Sequence, residues 1–346
     1  MTEQIGLVAN VGGQYPDKME FKSLNPAYFR TIVYRIDDVL TALASIPGST
    51  RIIALINNEN KGVGSNWAGL ELTLNYLCKQ LGSRLAAVEI GNELDLLGEP
   101  PEFAASLVRR AYPVLKRYGV PCILSSVAGS DWVNWLQRAV SMAANQIDGV
   151  ALHPYGAAAN GYPRPDYLTG ELSEKIKAAH FIANKPVWVT EMGVKLGEVG
   201  GEQGQAVWVR KAFEVVKGLG PSICPAACLF AFHDANGGPN ERDYHAFGLI
   251  EDSVTQRRRN AFYTFCDLTK TRPYIEPIKE ASVPTPAAPP TFWVGSGVQK
   301  FVKDKKLTVV GNELYFTPEA SATPTQEGLV FWIKGDGKAR LVRWEE

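Results

Sequence analysis

The first 270 residues alternate between short apolar runs and longer segments with helical spacing. Eight runs rich in Val, Ile, Leu, Ala and Phe have the composition of strands: 5–11, 29–35, 51–58, 86–92, 122–129, 149–155, 186–192 and 227–233. Seven other segments repeat apolar residues every three or four positions, as amphipathic helices do: 37–46, 67–81, 101–119, 132–146, 172–184, 202–220 and 258–270. Strands separated by helices predict βαβ units and a parallel sheet.

The number of these units predicts how the sheet closes. Eight strand and helix units match a closed (β/α)8 TIM barrel, for which about 250 residues is typical. An open, doubly wound sheet is the alternative, and it usually has a glycine-rich GxGxxG loop after its first strand. The segment NVGGQYPD, residues 10–17, follows the first run and lacks that spacing. We therefore predict an α/β fold in which residues 1–272 form a TIM barrel.

The pattern changes after residue 272. Residues 273–291 are rich in Pro and Ala, which predicts an extended linker. Residues 292–346 contain short apolar runs parted by turn sequences such as GDGK, which predict a small antiparallel β domain. A segment of this size buries little surface alone, so we expect it to pack on the barrel or to be attached to it.

Composition mainly excludes classes of protein. The chain of 346 residues has 36 Lys plus Arg and 36 Asp plus Glu, so no overall field attracts nucleic acid or an anionic membrane. Five scattered cysteines are typical of a reducing compartment. The N-terminus has no basic segment followed by a long apolar one, so we expect a cytoplasmic protein. Export by another route and association with a virion stay open, as does the oligomeric state.

Polar residues stand at the carboxyl ends of the predicted strands, where barrel enzymes place their functional groups. The fourth strand ends in Asn92 and Glu93, and the seventh ends in Thr190 and Glu191. Any one of these residues has an ordinary structural explanation, such as a carboxylate that caps a helix. Their coincidence at six strand ends predicts a site, since the other four ends contribute Tyr34-Arg35, Asn57-Asn58, His153-Pro154-Tyr155 and His233-Asp234.

Two carboxylic acids that face one pocket are what glycoside hydrolysis needs. One acid must protonate the leaving oxygen, and the other must be ionised to attack the anomeric carbon or to activate water. A cation such as Arg35 would keep its neighbouring carboxylate anionic, whereas the neutral amide of Asn92 leaves an acid free to keep its proton. This argument makes Glu191 the anionic residue and Glu93 the proton donor.

Two motifs at these strand ends resemble those of the clan A retaining glycoside hydrolases, the (β/α)8 enzymes that include cellulases, mannanases and β-xylosidases. VEIGNE, residues 88–93, is similar to their strand-four signature, and WVTEMG, residues 188–193, is similar to their strand-seven signature. The resemblance implies that Glu93 is the acid/base, that Glu191 is the nucleophile and that Asn92 binds the sugar 2-hydroxyl. It also implies net retention without a metal or organic cofactor.

The resemblance extends to the strands around this pair. LHPYG, residues 152–156, is similar to the strand-six motif, which implies that the Tyr155 hydroxyl contacts the nucleophile, and Arg35 matches the strand-two arginine beneath it. Strand eight departs from the family, since many members have a tryptophan platform where this chain has Phe232 and His233. The predicted substrate-binding residues are therefore Arg35, Asn58, Asn92, His153, Tyr155, Trp132, Phe232 and His233. Loop aromatics Trp67, Tyr162 and Tyr167 are further candidates for stacking on sugars.

Two rival hypotheses stay open. In the first, the barrel is a carbohydrate-binding or virion-associated module without turnover, and the two carboxylates do no chemistry. A metal-dependent hydrolase would instead use His153, His233, Asp234 and His245, but none of the four histidines forms an HxH or HExxH pair. We expect a carbohydrate partner and no nucleic acid or membrane. The sugar, its linkage and endo or exo action are not predicted.

Overall fold

The chain forms two compact units in the computed structural model, residues 1–274 and residues 275–346. The structure describes residues 3–8, 16, 18–33, 40–41, 44–56, 69–155, 165–234, 246–251, 257–273, 314–317, 320–325, 328–333 and 339–343. Within these residues, no helix combines the length and the hydropathy needed to cross a membrane.

The first unit is a closed barrel of eight parallel strands. Each strand pairs with the next along the chain, and β8 pairs with β1, for example through Leu7 and Leu229. This closure confirms the predicted (β/α)8 fold and excludes the open sheet. The strands are β1 (Ile5–Val8), β2 (Tyr28–Ile32), β3 (Arg51–Ile56), β4 (Leu85–Ile90), β5 (Cys122–Val127), β6 (Gly149–Leu152), β7 (Val187–Met192) and β8 (Ala227–Leu229).

The helices surround the barrel and cover the outward faces of its strands. The helix of residues 101–117 begins with a proline, whose fixed φ suits the first turn. The buried positions of this helix recur at helical spacing. Part of the predicted helix 37–46 lies outside the described residues. The described helices are α1 (Lys18–Leu24), α2 (Leu70–Leu81), α3 (Pro101–Arg117), α4 (Trp132–Ala143), α5 (Pro165–Ala183), α6 (Glu202–Leu219) and α7 (Asn260–Thr269).

Alternation along the strands separates two apolar layers. The larger layer lies between strands and helices, and the smaller one fills the barrel with residues such as Ala87, Ala151 and Trp188. The interior is tight: a Cβ added to Gly6 would lie 2.5 Å from the Sγ of Cys228. Polar side chains buried above this packing need partners, since an unpaired buried charge is costly. Those partners define the site described below.

The second unit contains an antiparallel sheet with the strand order β12-β11-β10-β9. One of its strands arises from ASATPT, a segment whose weak apolar pattern did not predict a strand. The predicted strand at 305–311 lies outside the described residues. The strands are β9 (Leu314–Thr317), β10 (Ala320–Thr325), β11 (Gly328–Ile333) and β12 (Ala339–Arg343).

Candidate active site

A buried arginine organises the carboxyl ends of the strands. Arg30 of β2 is 1% exposed, and its Nε and Nη2 donate to the two carboxylate oxygens of Glu89 at 2.7 and 3.1 Å. Nη2 also donates to Asn92 Oδ1 at 2.8 Å, and Nη1 pairs with Glu191. One planar guanidinium therefore joins β2 to the ends of β4 and β7, as its fixed fork geometry allows.

Arg30 stays positively charged. Burial by itself would lower the pKa of Arg30, but the negative charges of Glu89 and then Glu191 outweigh burial and raise its pKa above the usual value. Arg30 is thus a permanent cation beside Glu191. This is the electrostatic role that the sequence analysis gave to Arg35.

Arg30 makes the contact that was predicted for Arg35, and the role of Arg35 itself stays a prediction. The strand β2 ends at Ile32, and Arg35 lies outside the described residues. Among the described residues, Arg30 is the arginine that contacts Glu191, because alternation along β2 turns Tyr28 and Arg30 towards the barrel interior, where Tyr28 belongs to the smaller apolar layer. The sequence pattern did not single out Arg30, because Arg30 lies inside the apolar run and Arg35 stands at its end.

Glu191 has a second donor from β6. The hydroxyl of Tyr155 donates to Glu191 Oε2 at 3.2 Å, as the sequence resemblance implies for a tyrosine at this position. Burial, followed by the negative charges of Glu191 and Glu93, raises the pKa of Tyr155 well above its usual value. The phenol therefore stays protonated and remains a donor to the carboxylate.

Glu93 stands just beyond β4 and is bound by His153. Its backbone has a φ of 47°, and its N–H donates to Ser126 Oγ at 3.1 Å. Glu93 Oε1 lies 2.6 Å from His153 Nδ1. Burial raises the pKa of Glu93, but the hydrogen bond and charge of His153, followed by the charge of Arg30, outweigh burial and bring the pKa below its usual value.

The partners of the imidazole indicate where the protons lie. Thr190 Oγ1 is 3.2 Å from Glu89 Oε1 and 3.0 Å from His153 Nε2. Because a hydroxyl has one proton to donate, Thr190 donates to the carboxylate of Glu89 and accepts from Nε2–H of His153. Nδ1 is then left facing Glu93 across 2.6 Å, with one proton between them.

The two glutamates at the site are close together. Single ligand atoms of Glu93, His153 and Glu191 all lie within 4.8 Å of one another, which also makes them the group of described residues most suited to a metal ion. The 2.6 Å between His153 Nδ1 and Glu93 Oε1 is a hydrogen-bond distance. Two ligands of a tetrahedral zinc ion are about 3.3 Å apart, as follows from bonds of about 2.0 Å. The observed spacing fits a proton between the two atoms better than a metal ion.

Three other predicted substrate-binding residues lie in the described part of the chain, and none of them contacts this cluster. Phe232 is 1% exposed and lies in the layer between strands and helices, so its ring has no open face for a sugar, contrary to the prediction. His233 is 8% exposed and packs on Phe232 with the ring centroids 4.1 Å apart. Trp132 begins α4 and packs against the same layer. Asn58 lies outside the described residues, with Trp67, Tyr162 and His245, and the side chain of Tyr167 is likewise not described.

Sequence reasoning missed two aromatic residues beside the site. Phe247 packs edge-on against Tyr155, with the ring centroids 6.0 Å apart, and against Phe230 at 5.4 Å. Phe230 belongs to the interior layer, because β8 ends at Leu229 and the chain then turns Phe230 inward and Phe232 outward. The metal hypothesis also loses Asp234, whose carboxylate is paired with Arg259 at 2.5 Å.

Comparison with known proteins bears on the fold and the family. Residues 99–217 match the family model described as "Glycosyl hydrolase catalytic core". This match confirms the resemblance to glycoside hydrolases over these residues, and the structural likenesses confirm the (β/α)8 barrel. No protein of curated function matches the sequence.

Three solved structures illustrate the likeness. An endo-beta-1,3-glucanase of GH128 subgroup I from Amycolatopsis mediterranei, in complex with laminaritriose, is 19% identical, with a TM-score of 0.52 over 77% of this chain and 99% of that chain. A GH5_18 protein from Bifidobacterium longum subsp. infantis is 12% identical, with a TM-score of 0.56 over 74% of this chain and 73% of that chain. A beta-glucuronidase from an uncultured Clostridium sp. is 14% identical, with a TM-score of 0.55 over 77% of this chain and 50% of that chain. At these identities the likeness establishes the fold alone.

Proposed function

We propose that this chain is a retaining glycoside hydrolase that cleaves a β-linked glycan, with Glu191 as nucleophile and Glu93 as acid/base. The observation that carries the proposal is the approach of the two carboxyl groups, since one oxygen of each lies within 4.8 Å of the other. Retaining enzymes hold these groups about 5–5.5 Å apart, whereas inverting enzymes need about 6.5–9.5 Å to admit a water molecule.

The surroundings of Glu191 suit a nucleophile. Arg30 and the Tyr155 hydroxyl both donate to its carboxylate and fix its orientation. The side chain of Glu191 is still 15% exposed, so part of it is accessible. A substrate carbon can therefore reach a carboxylate whose orientation is already set.

The surroundings of Glu93 suit a proton carrier. A carboxyl whose pKa is lowered is seldom protonated by itself, but Glu93 shares one proton with His153 across 2.6 Å. The proton held by the pair passes to the leaving oxygen through Glu93, which is 22% exposed, while His153 is fully buried. His153 thus acts on the reaction through Glu93 and does not itself reach the substrate.

The reaction has two steps. Glu191 attacks the anomeric carbon as the bond to the leaving oxygen breaks, and the shared proton moves through Glu93 to that oxygen. Glu93 then takes a proton from water while the water oxygen attacks the same carbon and releases Glu191. Two displacements at one carbon give net retention.

A β-glucan is the first polymer to test. The GH128 structure is named as an endo-beta-1,3-glucanase, and it contains laminaritriose. An aromatic ring, Phe247, is partly exposed beside Tyr155, with Lys195 Nζ 5.6 Å from its centroid. We infer that laminarin, other β-glucans and their aryl glycosides form the appropriate panel.

Replacing Glu93 with Ala is expected to lower kcat on aryl β-glycosides by about 10²–10⁴-fold, the usual contribution of acid–base catalysis. Azide should raise the kcat of this variant by at least about tenfold, because the anion attacks the glycosyl-enzyme without a general base. The restored product is a β-glycosyl azide, which can be identified by NMR. The high-pH fall in wild-type kcat/KM, caused by deprotonation of Glu93, should be absent from the rescued reaction.

The matched control is Glu214→Ala, which removes an exposed carboxylate from α6. It should retain wild-type turnover and show no response to azide. A folded Glu93→Ala variant that azide fails to restore, on a substrate that the wild type cleaves, would contradict the acid/base role.

A further inference from the structure

The segment 246–251 returns beside the end of β8 and places one aromatic ring next to Tyr155. Leu249 and Ile250 donate their N–H groups to the carbonyls of Ala231 and Phe232, each at 3.0 Å. The Phe247 ring lies at 73° to the Tyr155 ring. Tyr155 is the residue whose hydroxyl donates to Glu191, so Phe247 packs against a residue that supports the proposed nucleophile.

A buried amide on α6 fixes the backbone of this segment. Gln205 is 2% exposed, and its Nε2 lies 3.2 Å from the carbonyl of Ala246 and 3.1 Å from the carbonyl of Phe247. The same nitrogen lies 3.2 Å from the carbonyl of Val194, just after β7. One side chain therefore ties the segment that carries Phe247 to the end of the strand that carries Glu191.

A buried ion pair fixes the next residue. Asp234 Oδ1 accepts the N–H of Gly248 at 2.6 Å, and Arg259 Nη1 donates to the carbonyl of Gly248 at 3.0 Å. Asp234 and Arg259 are 5% and 4% exposed, and both terminal nitrogens of the Arg259 guanidinium donate to the Asp234 carboxylate. Gly248 has no room for a side chain, because an added Cβ would lie 2.4 Å from the backbone nitrogen of Asp234.

The residue after β7 also accommodates the ring. A Cβ added to Gly193 would lie 3.0 Å from Cδ1 of Phe247 and 2.4 Å from the carbonyl oxygen of Phe230. The ring, the amide and the ion pair thus converge on one location. Such placement is what holds a catalytic group within a fraction of an ångström of its working position.

We propose that Phe247 is a positioning residue, which holds the Tyr155 ring so that its hydroxyl donates to Glu191, and that Gln205 and the Asp234–Arg259 pair hold Phe247 in place. This inference rests on the proposed glycosidase function. It assigns to the segment after β8 a part in setting the nucleophile, in addition to any contact with sugar.

The test is a double-mutant cycle between Phe247→Leu and Tyr155→Phe, assayed on laminarin and on an aryl β-glucoside. Phe247→Leu should lower kcat by about tenfold with KM within about twofold, because geometry at the reacting centre is lost while the pocket remains. In the Tyr155→Phe background the same change should alter kcat by less than about twofold, since the hydroxyl to be positioned is gone. Phe247→Tyr, which keeps the ring, should restore most of the wild-type kcat.

Phe181→Leu is the matched control, because that ring is 86% exposed on α5 and should leave kcat unchanged. Thermal unfolding of each variant separates loss of folding from loss of positioning. Equal losses of kcat in both backgrounds, or no loss in either, would overturn the inference while the wild type remains active. A wild type that cleaves nothing in the panel would remove the proposed function and this inference together, so the two failures are distinguishable.

Discussion

Glu191→Ala is expected to lower kcat on aryl β-glycosides and β-glucans by about 10⁵-fold, as loss of a nucleophile does in enzymes that form a covalent intermediate. The structure gives the reason: Arg30 and Tyr155 both donate to this carboxylate, and the Ala side chain leaves their donors without an acceptor. Initial rates over the substrate panel, with circular dichroism to check folding, provide the measurement.

Azide separates this loss from that of the acid/base variant. In Glu191→Ala the anion enters from the face that the carboxylate occupied, in a single displacement. The expected product is therefore an α-glycosyl azide, opposite in configuration to the product expected from Glu93→Ala. Glu214→Ala serves again as the control. A folded Glu191→Ala variant with wild-type turnover would contradict the assignment, and a wild type without turnover would favour the sugar-binding hypothesis.

Arg30→Met is expected to affect both stability and activity. The substitution leaves Glu89, which is 0% exposed, without its bidentate cation. Breaking a buried ion pair by removing one partner costs about 3–5 kcal/mol, because the remaining charge is uncompensated. Urea unfolding should show this loss as a lower transition midpoint, and kcat should fall by at least about 10²-fold as Glu191 loses its cation.

The double variant Arg30→Met/Glu89→Leu separates these effects. It removes the stranded charge, so it should regain at least half of the lost unfolding free energy while kcat remains low. Arg30→Lys provides a second comparison, since it keeps the charge but lacks the planar guanidinium that contacts three residues. A double variant as unstable as Arg30→Met would show that the buried charge of Glu89 is not the cause.

The barrel and the two glutamates were predictable from local pattern. Strand and helix periodicity predicts the eight units, and Glu93 and Glu191 follow apolar runs whose ends are marked by the change to polar residues. The local pattern did not predict which arginine of strand two contacts Glu191, because the apolar run continues to Val33 while β2 ends at Ile32. A shift in the assumed strand end changes which arginine is taken to face the site.

The environment of these glutamates depends on contacts that sequence proximity does not reveal. Phe247 meets Tyr155 across 92 positions in the chain, through a segment held by Gln205 and Asp234. The apolar run to residue 233 predicts that Phe232 lies at the end of β8, whereas β8 ends at Leu229 and Phe230 lies on the interior side. Which ring faces the pocket depends on where the strand ends, and no local signal fixed that point.

The most direct test of the two-glutamate mechanism is the configuration of the first product. Proton NMR during early hydrolysis of a β-linked oligosaccharide from laminarin records the new reducing end before mutarotation. Retention through a glycosyl-enzyme on Glu191 predicts that the β-anomer appears first and the α-anomer follows slowly. An α-anomer that appears first would mean single displacement by water and would contradict the role of Glu191 as nucleophile.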